Sequence, residues 1–256
     1  MSDYSDVARR ASALLDLHDR GTTLVLPTVW DAWSAVAVAE VGFEALSIGS
    51  HPLADSRGQG DGEQMSLADA LDGIARITAA VDVPVTADVE SGYDTPAGEL
   101  VERVLEAGAA GINVEDTVHS EGRVRAVQEH ADYIAAIRAA ADEAGVDLVI
   151  NARTDALLHG TERFADPVAE AVERIRAFED AGARSVYPVK IPDAATLRTL
   201  LDAVAIPLNV TANPRSGAPA GSLHELRTAG VRRITFGPLL QAELAGPLQE
   251  LVRPWV

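Results

Sequence analysis

Residues 83–116 of the chain read VPVTADVESGYDTPAGELVERVLEAGAAGINVED. The two apolar runs in this stretch predict one strand over Val83–Glu90 and another over Gly111–Asp116. Between them, the spacing of apolar residues predicts a helix over Ala97–Ala107 that stops at Gly108. Short apolar runs that alternate with helical segments are typical of parallel strands covered by helices. The stretch therefore predicts an α/β fold built on a parallel sheet.

The same alternation continues on both sides of this unit. It predicts further helices, for example over Ser66–Val81, Ala126–Ala144 and Phe164–Ala181. The predicted strands are Thr23–Val29, Ala45–Ser50, Val83–Glu90, Gly111–Asp116, Asp147–Arg153, Ser185–Val189, Pro207–Thr211 and Arg233–Gly237. Eight strand–helix units in about 250 residues match a (β/α)8 barrel of the TIM type. The chain has no GxGxxG motif and no Walker lysine loop, which disfavours an open doubly wound sheet.

The composition limits the classes of function. The 256 residues include 39 acidic and 21 basic side chains, and the net charge of −18 argues against a nucleic-acid partner. No cysteine occurs, so disulfides, thiolate zinc sites, iron–sulfur clusters and a cysteine nucleophile are excluded. The first residues carry charges every few positions without an apolar run, so we expect no secretory signal and no membrane contact. A cytoplasmic protein is expected.

No linker and no shift in composition divides the chain. We expect a single barrel domain over residues 1–256, with a short N-terminal helical extension and a C-terminal helical segment. The C-terminal stretch Pro238–Val256 is amphipathic. It is expected either to dock on a partner subunit or to cap the floor of the barrel.

Acidic residues at the ends of neighbouring strands predict a metal site, because active sites of such barrels lie at these ends. Asp88 and Glu90 end the third predicted strand, and the period of two points both to the same side. Glu115 ends the fourth strand. Crowded carboxylates need a cation, so Asp88, Glu90 and Glu115 are predicted to hold Mg²⁺, with Mn²⁺ as the alternative ion. Asp116 points the other way and is expected to be structural.

Other strand ends supply candidate substrate-binding residues. Arg153 ends the fifth predicted strand, and its planar guanidinium can pair with a substrate carboxylate or phosphonate. The second strand carries Ser47, Gly49 and Ser50 to the mouth, where the backbone amides near Gly49 and Ser50 are expected to receive an oxyanion. These three residues and Arg153 are predicted to bind the substrate.

A long loop, Pro52–Gln64, follows the second strand, and loops of this size are often lids or binding loops. Asp61 in this loop is predicted to reach the site as an acid or base. The predicted catalytic residues are Arg153, Asp61 and Glu115. Two histidines, His51 and His119, fall at expected mouth positions. The others, His18, His130, His159 and His224, are expected at the surface or satisfied in the core.

Three motifs occur in a fixed order: ADVESGY at 87–93, GINVED at 111–116 and NARTD at 151–155, together with GDGE at 60–63. With these motifs, the chain resembles the isocitrate lyase / phosphoenolpyruvate mutase superfamily over nearly its full length. The resemblance implies a modified (β/α)8 barrel that binds Mg²⁺ and a small 2-oxo acid or related carboxylate. It implies a lyase that cleaves a C–C or P–C bond through an enolate intermediate. It also implies a homo-oligomer, a dimer or tetramer, with helices exchanged between subunits.

The resemblance implies a role for each matched residue. Asp88 resembles the direct metal ligand, and Glu90 and Glu115 resemble ligands that act through water. Arg153 resembles the residue that holds the substrate carboxylate or phosphonate. The Gly49–Ser50 backbone matches the stretch that receives the substrate.

The chain also departs from the superfamily pattern. Isocitrate and methylisocitrate lyases carry a Lys-Lys-Cys-Gly-His loop, whereas residues 117–123 read TVHSEGR here. The phosphoenolpyruvate mutase type has a His and a Ser late in the sixth strand, where this chain has Tyr187–Val189. Asp61 still matches a loop aspartate near the metal. The sequence therefore predicts a phosphonomutase-like member that lacks the catalytic cysteine loop.

Two other functions stay open. Lys190, the only lysine, follows the sixth strand, where a barrel could form a Schiff base with a carbonyl substrate as an aldolase does. A catalytically silent barrel that serves as a binding protein is the other alternative. The retained acidic motifs and Arg153 argue against a silent barrel.

Overall fold

Eight parallel strands form the centre of the protein in a computed structural model that describes residues 3–256. They are Leu24–Leu26 with Thr28–Val29 (β1), Leu46–Ile48 (β2), Val85–Asp88 (β3), Gly111–Glu115 (β4), Val149–Thr154 (β5), Ser185–Pro188 (β6), Asn209–Thr211 (β7) and Arg233–Thr235 (β8). Pro27 divides β1 into two pieces because it has no N–H to donate. Its carbonyl still accepts a hydrogen bond from the N–H of Ser47. Each predicted strand coincides with an observed one.

The strands close into a barrel. The second piece of β1 pairs with β2, and parallel pairing continues in chain order through β6. A parallel bridge between Val186 and Leu208 joins β6 to β7, and β8 pairs with both β7 and the first piece of β1. The predicted (β/α)8 barrel is confirmed. The extent of the single domain, residues 1–256, stays a prediction, and Met1 and Ser2 lie outside the described residues.

Helices surround the barrel. Their bounds are Ser5–Asp19 (α1), Ala32–Ala39 (α2), Ser50–Ser56 (α3), Leu67–Thr78 (α4), Ala97–Glu106 (α5), Val127–Glu143 (α6), Ala156–His159 (α7), Pro167–Asp180 (α8), Ala194–Leu201 (α9), Leu223–Ala229 (α10) and Leu239–Val252 (α11). The side chain of Asp166 accepts hydrogen bonds from the N–H groups of Val168 and Ala169. For this reason α8 begins at Pro167 and not at the predicted Phe164.

The first part of the predicted loop Pro52–Gln64 is helical, so that part of the prediction was wrong. Helix α3 begins at Ser50, and Pro52 is tolerated in its first turn because no N–H is needed there. Leu53 and Ala54 are buried against the neighbouring elements, which favours a helix over an exposed loop. Residues 57–65 remain a loop, called the acidic loop below.

Helix α1 closes the floor of the barrel, at the amino ends of the strands. His18 Nδ1 lies 2.8 Å from the carbonyl oxygen of Leu14, and Arg233 Nη1 donates to His18 Nε2 at 3.1 Å. Arg233 begins β8, is fully buried and also donates to Asn209 Oδ1 at 3.0 Å. Burial and the charge of Arg233 lower the pKa of His18 to about 3, so the ring is neutral. His18 is therefore a satisfied core residue, as predicted.

The C-terminal helix α11 has no buried residue. Leu248, Leu251 and Trp255 are exposed, Trp255 to 90% of its surface. Near the start of the helix, Gln241 Nε2 donates to the carbonyl oxygen of Pro52, at the mouth end of the barrel. The expectation that this segment caps the floor was therefore wrong, since α1 occupies that position. Among the described residues, no helix is both long and apolar enough to cross a membrane.

Candidate active site

The carboxyl ends of β3, β4 and β5 bring the predicted charged residues together. Asp88 is the last residue of β3, and Glu115, the last of β4, lies in register with Arg153 of β5. Glu90 follows β3 in a turn where its φ is 49°. Asp88, Glu90 and Glu115 expose only 9%, 2% and 2% of their surface. Three carboxylates and one guanidinium thus share the mouth of the barrel.

The guanidinium of Arg153 contacts three carboxylates. Its Nη1 lies 2.5 Å from Glu115 Oε2 and 4.0 Å from Asp88 Oδ2. Its Nε and Nη2 donate to the two oxygens of Asp155 at 2.8 and 3.2 Å. Burial opposes the charge of Arg153, but the carboxylates outweigh it and hold its pKa above the usual value. The edge that carries Nη1 therefore faces the acidic cluster.

His119 is also part of the cluster. It lies between two short antiparallel strands, Thr117–Val118 and Arg123–Val124, and its Nε2 is 2.6 Å from Glu115 Oε1 and 3.8 Å from Glu90 Oε2. The hydrogen bond to Glu115 is the main cause that raises the pKa of His119 to about 9. Burial raises the pKa of Glu115 in turn. The mouth position predicted for His119 is observed.

Both carboxylate oxygens of Glu90 have a protein donor. The hydroxyl of Tyr93 donates to Oε1 at 2.9 Å, and the backbone N–H of Glu63 donates to Oε2 at 2.5 Å. Burial raises the pKa of Glu90 to about 7, and the charges of Asp88 and Asp61 add to the effect. Glu90 is therefore held in one orientation beside other carboxylates.

The donor set of the mouth suits Mg²⁺. Burial raises the pKa values of Asp88 and Glu90, and the negative charge of Asp61 raises them further. A hard divalent cation would offset both the burial and the repulsion between these carboxylates. Among residues 3–256, no three His, Cys, Asp or Glu side chains are grouped closely enough to ligate one ion directly. The predicted roles of Asp88, Glu90 and Glu115 as ligands of such an ion stay predictions.

Comparison with known proteins shows the family of the chain. The family described as phosphoenolpyruvate phosphomutase matches residues 14–254 of the chain. The chain belongs to this family. The 2-methylisocitrate lyase of Escherichia coli (strain K12) is 31% identical over 206 residues, which cover 77% of this chain and 68% of that protein. The predicted superfamily is confirmed, and with it the predicted type of enzyme.

Solved structures extend the likeness over the whole barrel. A crystal structure from Burkholderia cenocepacia J2315, of a protein provisionally assigned as a phosphonomutase, shares 38% identity with a TM-score of 0.86. It covers 96% of this chain and 99% of that one. The structure of oxaloacetate acetylhydrolase in complex with the product oxalate shares 28% identity with a TM-score of 0.85, and covers 95% of this chain and 86% of that one. The predicted fold class of this family member is thus confirmed independently of the strand pairing.

The predicted substrate-binding stretch lies on β2 and at the start of α3. Ser47 is buried and lies in register with Thr28 of β1. Gly49 precedes α3 and Ser50 is its first residue. A Cβ at Gly49 would come within 2.9 Å of the side chains of Thr28 and Pro52, so the close packing here requires glycine. The part of these residues in substrate binding stays a prediction.

Asp61 lies at the rim of the mouth and not inside the cluster. Its side chain is 43% exposed and its Oδ2 is 3.3 Å from Nδ1 of His51, which is at the mouth as predicted. The charge of Asp61 nevertheless contributes to the raised pKa values of Asp88 and Glu90. Asp61 therefore affects the cluster through the electrostatic repulsion between its carboxylate and those of Asp88 and Glu90. Its catalytic role stays a prediction.

Asp116 faces away from the mouth, as predicted. It is fully buried, its Oδ2 lies 3.0 Å from Arg174 Nη1, and its Oδ1 accepts the backbone N–H of Asp155. The two acidic residues of the GINVED motif therefore have different roles. Glu115 faces the site, and Asp116 supports the turn behind it.

Several contacts of the site were not predicted. The hydroxyl of Thr117 donates to Asp155 Oδ2 at 2.7 Å and lies 3.2 Å from His159 Nε2. His159 itself is partly exposed, as expected for a residue at the surface. Glu63 was also missed. Its position two residues after Asp61, in the acidic loop, was the one sequence signal for it.

Proposed function

We propose that the protein is a Mg²⁺-dependent lyase that cleaves a C–C or P–C bond of a small 2-oxo acid or related carboxylate through an enolate intermediate. The observation that carries the proposal is the convergence of Asp88 and Glu115 on Arg153, at 4.0 and 2.5 Å from its Nη1. Buried carboxylates with raised pKa values beside a fixed cation are typical of catalytic sites.

The residues of the mouth would divide the work. Asp155 fixes the plane of the Arg153 guanidinium through two hydrogen bonds, and Nη1, which now pairs with Glu115, would turn to a substrate carboxylate when one binds. When bound at Asp88, Mg²⁺ would supply Lewis-acid stabilisation of the charge that develops on the substrate oxygen. Glu115 and Asp61 are the proposed acid or base groups.

The proposed substrate class is a small 2-oxo dicarboxylate or its phosphonate counterpart. The site has Arg153 for one carboxylate, and the proposed Mg²⁺ suits a neighbouring 2-oxo group. The relative solved with its product oxalate is named for oxaloacetate, which makes oxaloacetate the first compound to screen. Release of pyruvate or oxalate would identify the bond that is broken.

Among residues 3–256, no hydrogen bond or ion pair of the Lys190 side chain supports the Schiff-base alternative. Lys190 is exposed in the turn after β6, whereas Schiff-base lysines are activated by burial or by a neighbouring cation. A fully active Lys190→Ala variant would exclude this chemistry. A catalytically silent barrel would bind neither metal nor carboxylate, so the binding experiment below separates it from the lyase.

The decisive experiment is calorimetric titration of the protein with oxalate, a mimic of the pyruvate enolate, with Mg²⁺ and then with the metal chelated. We expect binding that depends on Mg²⁺ because the carboxylate cluster alone would repel the dianion. Equal binding in both conditions would contradict the metal site. No binding in either condition would contradict the lyase proposal.

We also propose a cytoplasmic homo-oligomer, a dimer or tetramer. The exposed apolar residues of α11 and the turn after it support this, because monomers rarely leave such a row uncovered. Leu248→Glu with Leu251→Glu is expected to reduce the mass measured by sedimentation to that of the 26.9 kDa chain. An unchanged mass would place the contact elsewhere or, if the wild type is itself 26.9 kDa, contradict the oligomer.

A further inference from the structure

Glu63 joins the acidic loop to the turn after β3. One oxygen of its carboxylate, Oε1, accepts hydrogen bonds from the N–H of Ser91 at 3.1 Å, the hydroxyl of Ser91 at 2.6 Å and the N–H of Tyr93 at 2.9 Å. Ser91 is fully buried. Hydrogen bonds to a carboxylate are stronger than those between neutral groups. Glu63 therefore acts as a clamp between two segments that are 28 residues apart or more.

The turn that Glu63 clamps is strained. Glu90, Tyr93 and Asp94 have φ angles of 49°, 53° and 52°, and Glu63 itself has a φ of 57°. Non-glycine residues in this region are strained, and they persist only where surrounding contacts fix them. The three bonds to the Glu63 carboxylate are contacts of this kind, since two of them hold backbone N–H groups inside the turn.

The same clamp fixes a carboxylate of the proposed metal site. The backbone N–H of Glu63 donates to Glu90 Oε2, while the hydroxyl of Tyr93, whose backbone Glu63 holds, donates to Glu90 Oε1. Both oxygens of Glu90 are therefore restrained by groups that Glu63 positions. Each oxygen of a carboxylate held in this way keeps a lone pair that can accept from a water of an ion, and its orientation is fixed before the ion binds.

The acidic loop also touches His119 through a neighbour of Glu63. A Cβ at Gly62 would lie 3.3 Å from His119 Nδ1, so the loop backbone packs against the imidazole that contacts Glu115. Gly62 has a φ of 77°, which glycine adopts without strain. The docked loop therefore contacts Glu90 directly and contacts Glu115 indirectly, through the imidazole of His119.

We infer that Glu63 is a positioning residue of the active site: it docks the acidic loop and orients Glu90 for water-mediated binding of the divalent cation. This inference rests on the proposed function, because it assigns Glu90 to the hydration shell of Mg²⁺. Glu63 itself is held by Ser91 and Tyr93, so it is assigned a positioning role and not that of a ligand.

The test compares wild type, Glu63→Ala, Glu63→Gln and Gln64→Ala as the matched loop control. Gln64 is exposed and its side chain donates within the loop, to the carbonyl oxygen of Asp61. Two quantities are measured: the Kd for Mg²⁺ by calorimetry, and amide hydrogen exchange at residues 63, 91 and 93 without metal.

We expect Glu63→Ala to speed exchange at all three amides and to weaken Mg²⁺ binding about tenfold, roughly 1.4 kcal/mol. Glu63→Gln keeps an acceptor oxygen and should stay within about threefold of wild type, and Gln64→Ala should match wild type. Rescue by glutamine separates positioning from a role of the charge.

Unchanged exchange in Glu63→Ala would overturn the inference whatever the metal does. Faster exchange with an unchanged Kd would overturn the orienting role of Glu63 while leaving the metal site intact. Loss of Mg²⁺ binding in Glu63→Gln equal to that in Glu63→Ala would also overturn it. If the wild type binds no Mg²⁺, the proposed function fails, and with it the assignment of Glu90 to a hydration shell.

Discussion

Arg153 and Asp155 form a two-point ion pair at the end of one strand, with Nε to Oδ1 at 2.8 Å and Nη2 to Oδ2 at 3.2 Å. Residues two apart at a strand end lie on the same side, so the pair forms without a loop rearrangement. The pair holds the guanidinium plane and turns its Nη1 toward Glu115. Arg153 is thereby oriented before any substrate arrives.

This pair predicts that lysine cannot replace Arg153. An ammonium cannot keep two hydrogen bonds to Asp155 and also reach Glu115, so Arg153→Lys should weaken Mg²⁺-dependent oxalate binding at least tenfold, about 1.4 kcal/mol. Calorimetry measures the change. Arg184→Lys, at the exposed pair with Asp147, is the matched control and should bind oxalate like wild type. Equal affinity for both variants would contradict the role of Arg153.

Replacement of Asp88 should abolish metal-dependent binding without unfolding the protein. Asp88→Asn keeps the size of the side chain but removes the charge of the proposed direct ligand. Burial already raises the pKa of Asp88, so the folded protein loses little when that charge is removed. Thermal unfolding should therefore occur at or above the wild-type temperature, while oxalate binding with Mg²⁺ is lost. Retained binding would exclude Asp88 as a ligand.

The neighbouring Asp116 should behave in the opposite way. Burial raises its pKa as it does that of Asp88, but Asp116→Ala also removes the acceptor of the buried Arg174 and of the Asp155 N–H, and leaves Arg174 with Glu170 as its remaining carboxylate partner. Asp116→Ala should lower the free energy of unfolding by about 3 kcal/mol, as measured by urea denaturation. Asp88→Asn serves as the comparison, because it removes a buried carboxylate from the other side of the barrel wall. Similar free energies of unfolding for the two variants would contradict the structural role of Asp116.

The buried His130 predicts a pH dependence of stability. It packs edge-on against Phe178, and burial, with the charge of Arg125, lowers its pKa to about 3. Between pH 6.5 and 3 the unfolded chain therefore binds a proton here that the folded chain does not, so stability falls as pH falls. His130→Gln should reduce this slope by about 1 kcal/mol per pH unit in urea titrations.

The slope, and not the stability at one pH, decides this prediction. His130→Gln removes a packed ring and is expected to be less stable at every pH. The exposed His224→Gln is the control and should leave the slope at the wild-type value. A slope unchanged in His130→Gln would show that the ring titrates alike in the folded and unfolded chain.

Much of the fold followed from local patterns. Each of the eight strands was visible as an apolar run because strands buried on both faces need apolar side chains. Asp88, Glu115 and Arg153 could be assigned to the mouth because parallel strands point their carboxyl ends in one direction. The period of two also separated Glu115 from Asp116, which the structure places on opposite sides.

The sequence by itself determined which residues lie at the strand ends and which side they face, because these properties depend on local periodicity. Only the tertiary structure decided the partners: Glu63 with Ser91, Thr117 with His159, and His18 with Arg233, which are 215 positions apart. Such pairs depend on how loops and end helices pack onto a closed barrel. Local patterns do not contain this information, because distant segments come into contact only when the strands close into the barrel.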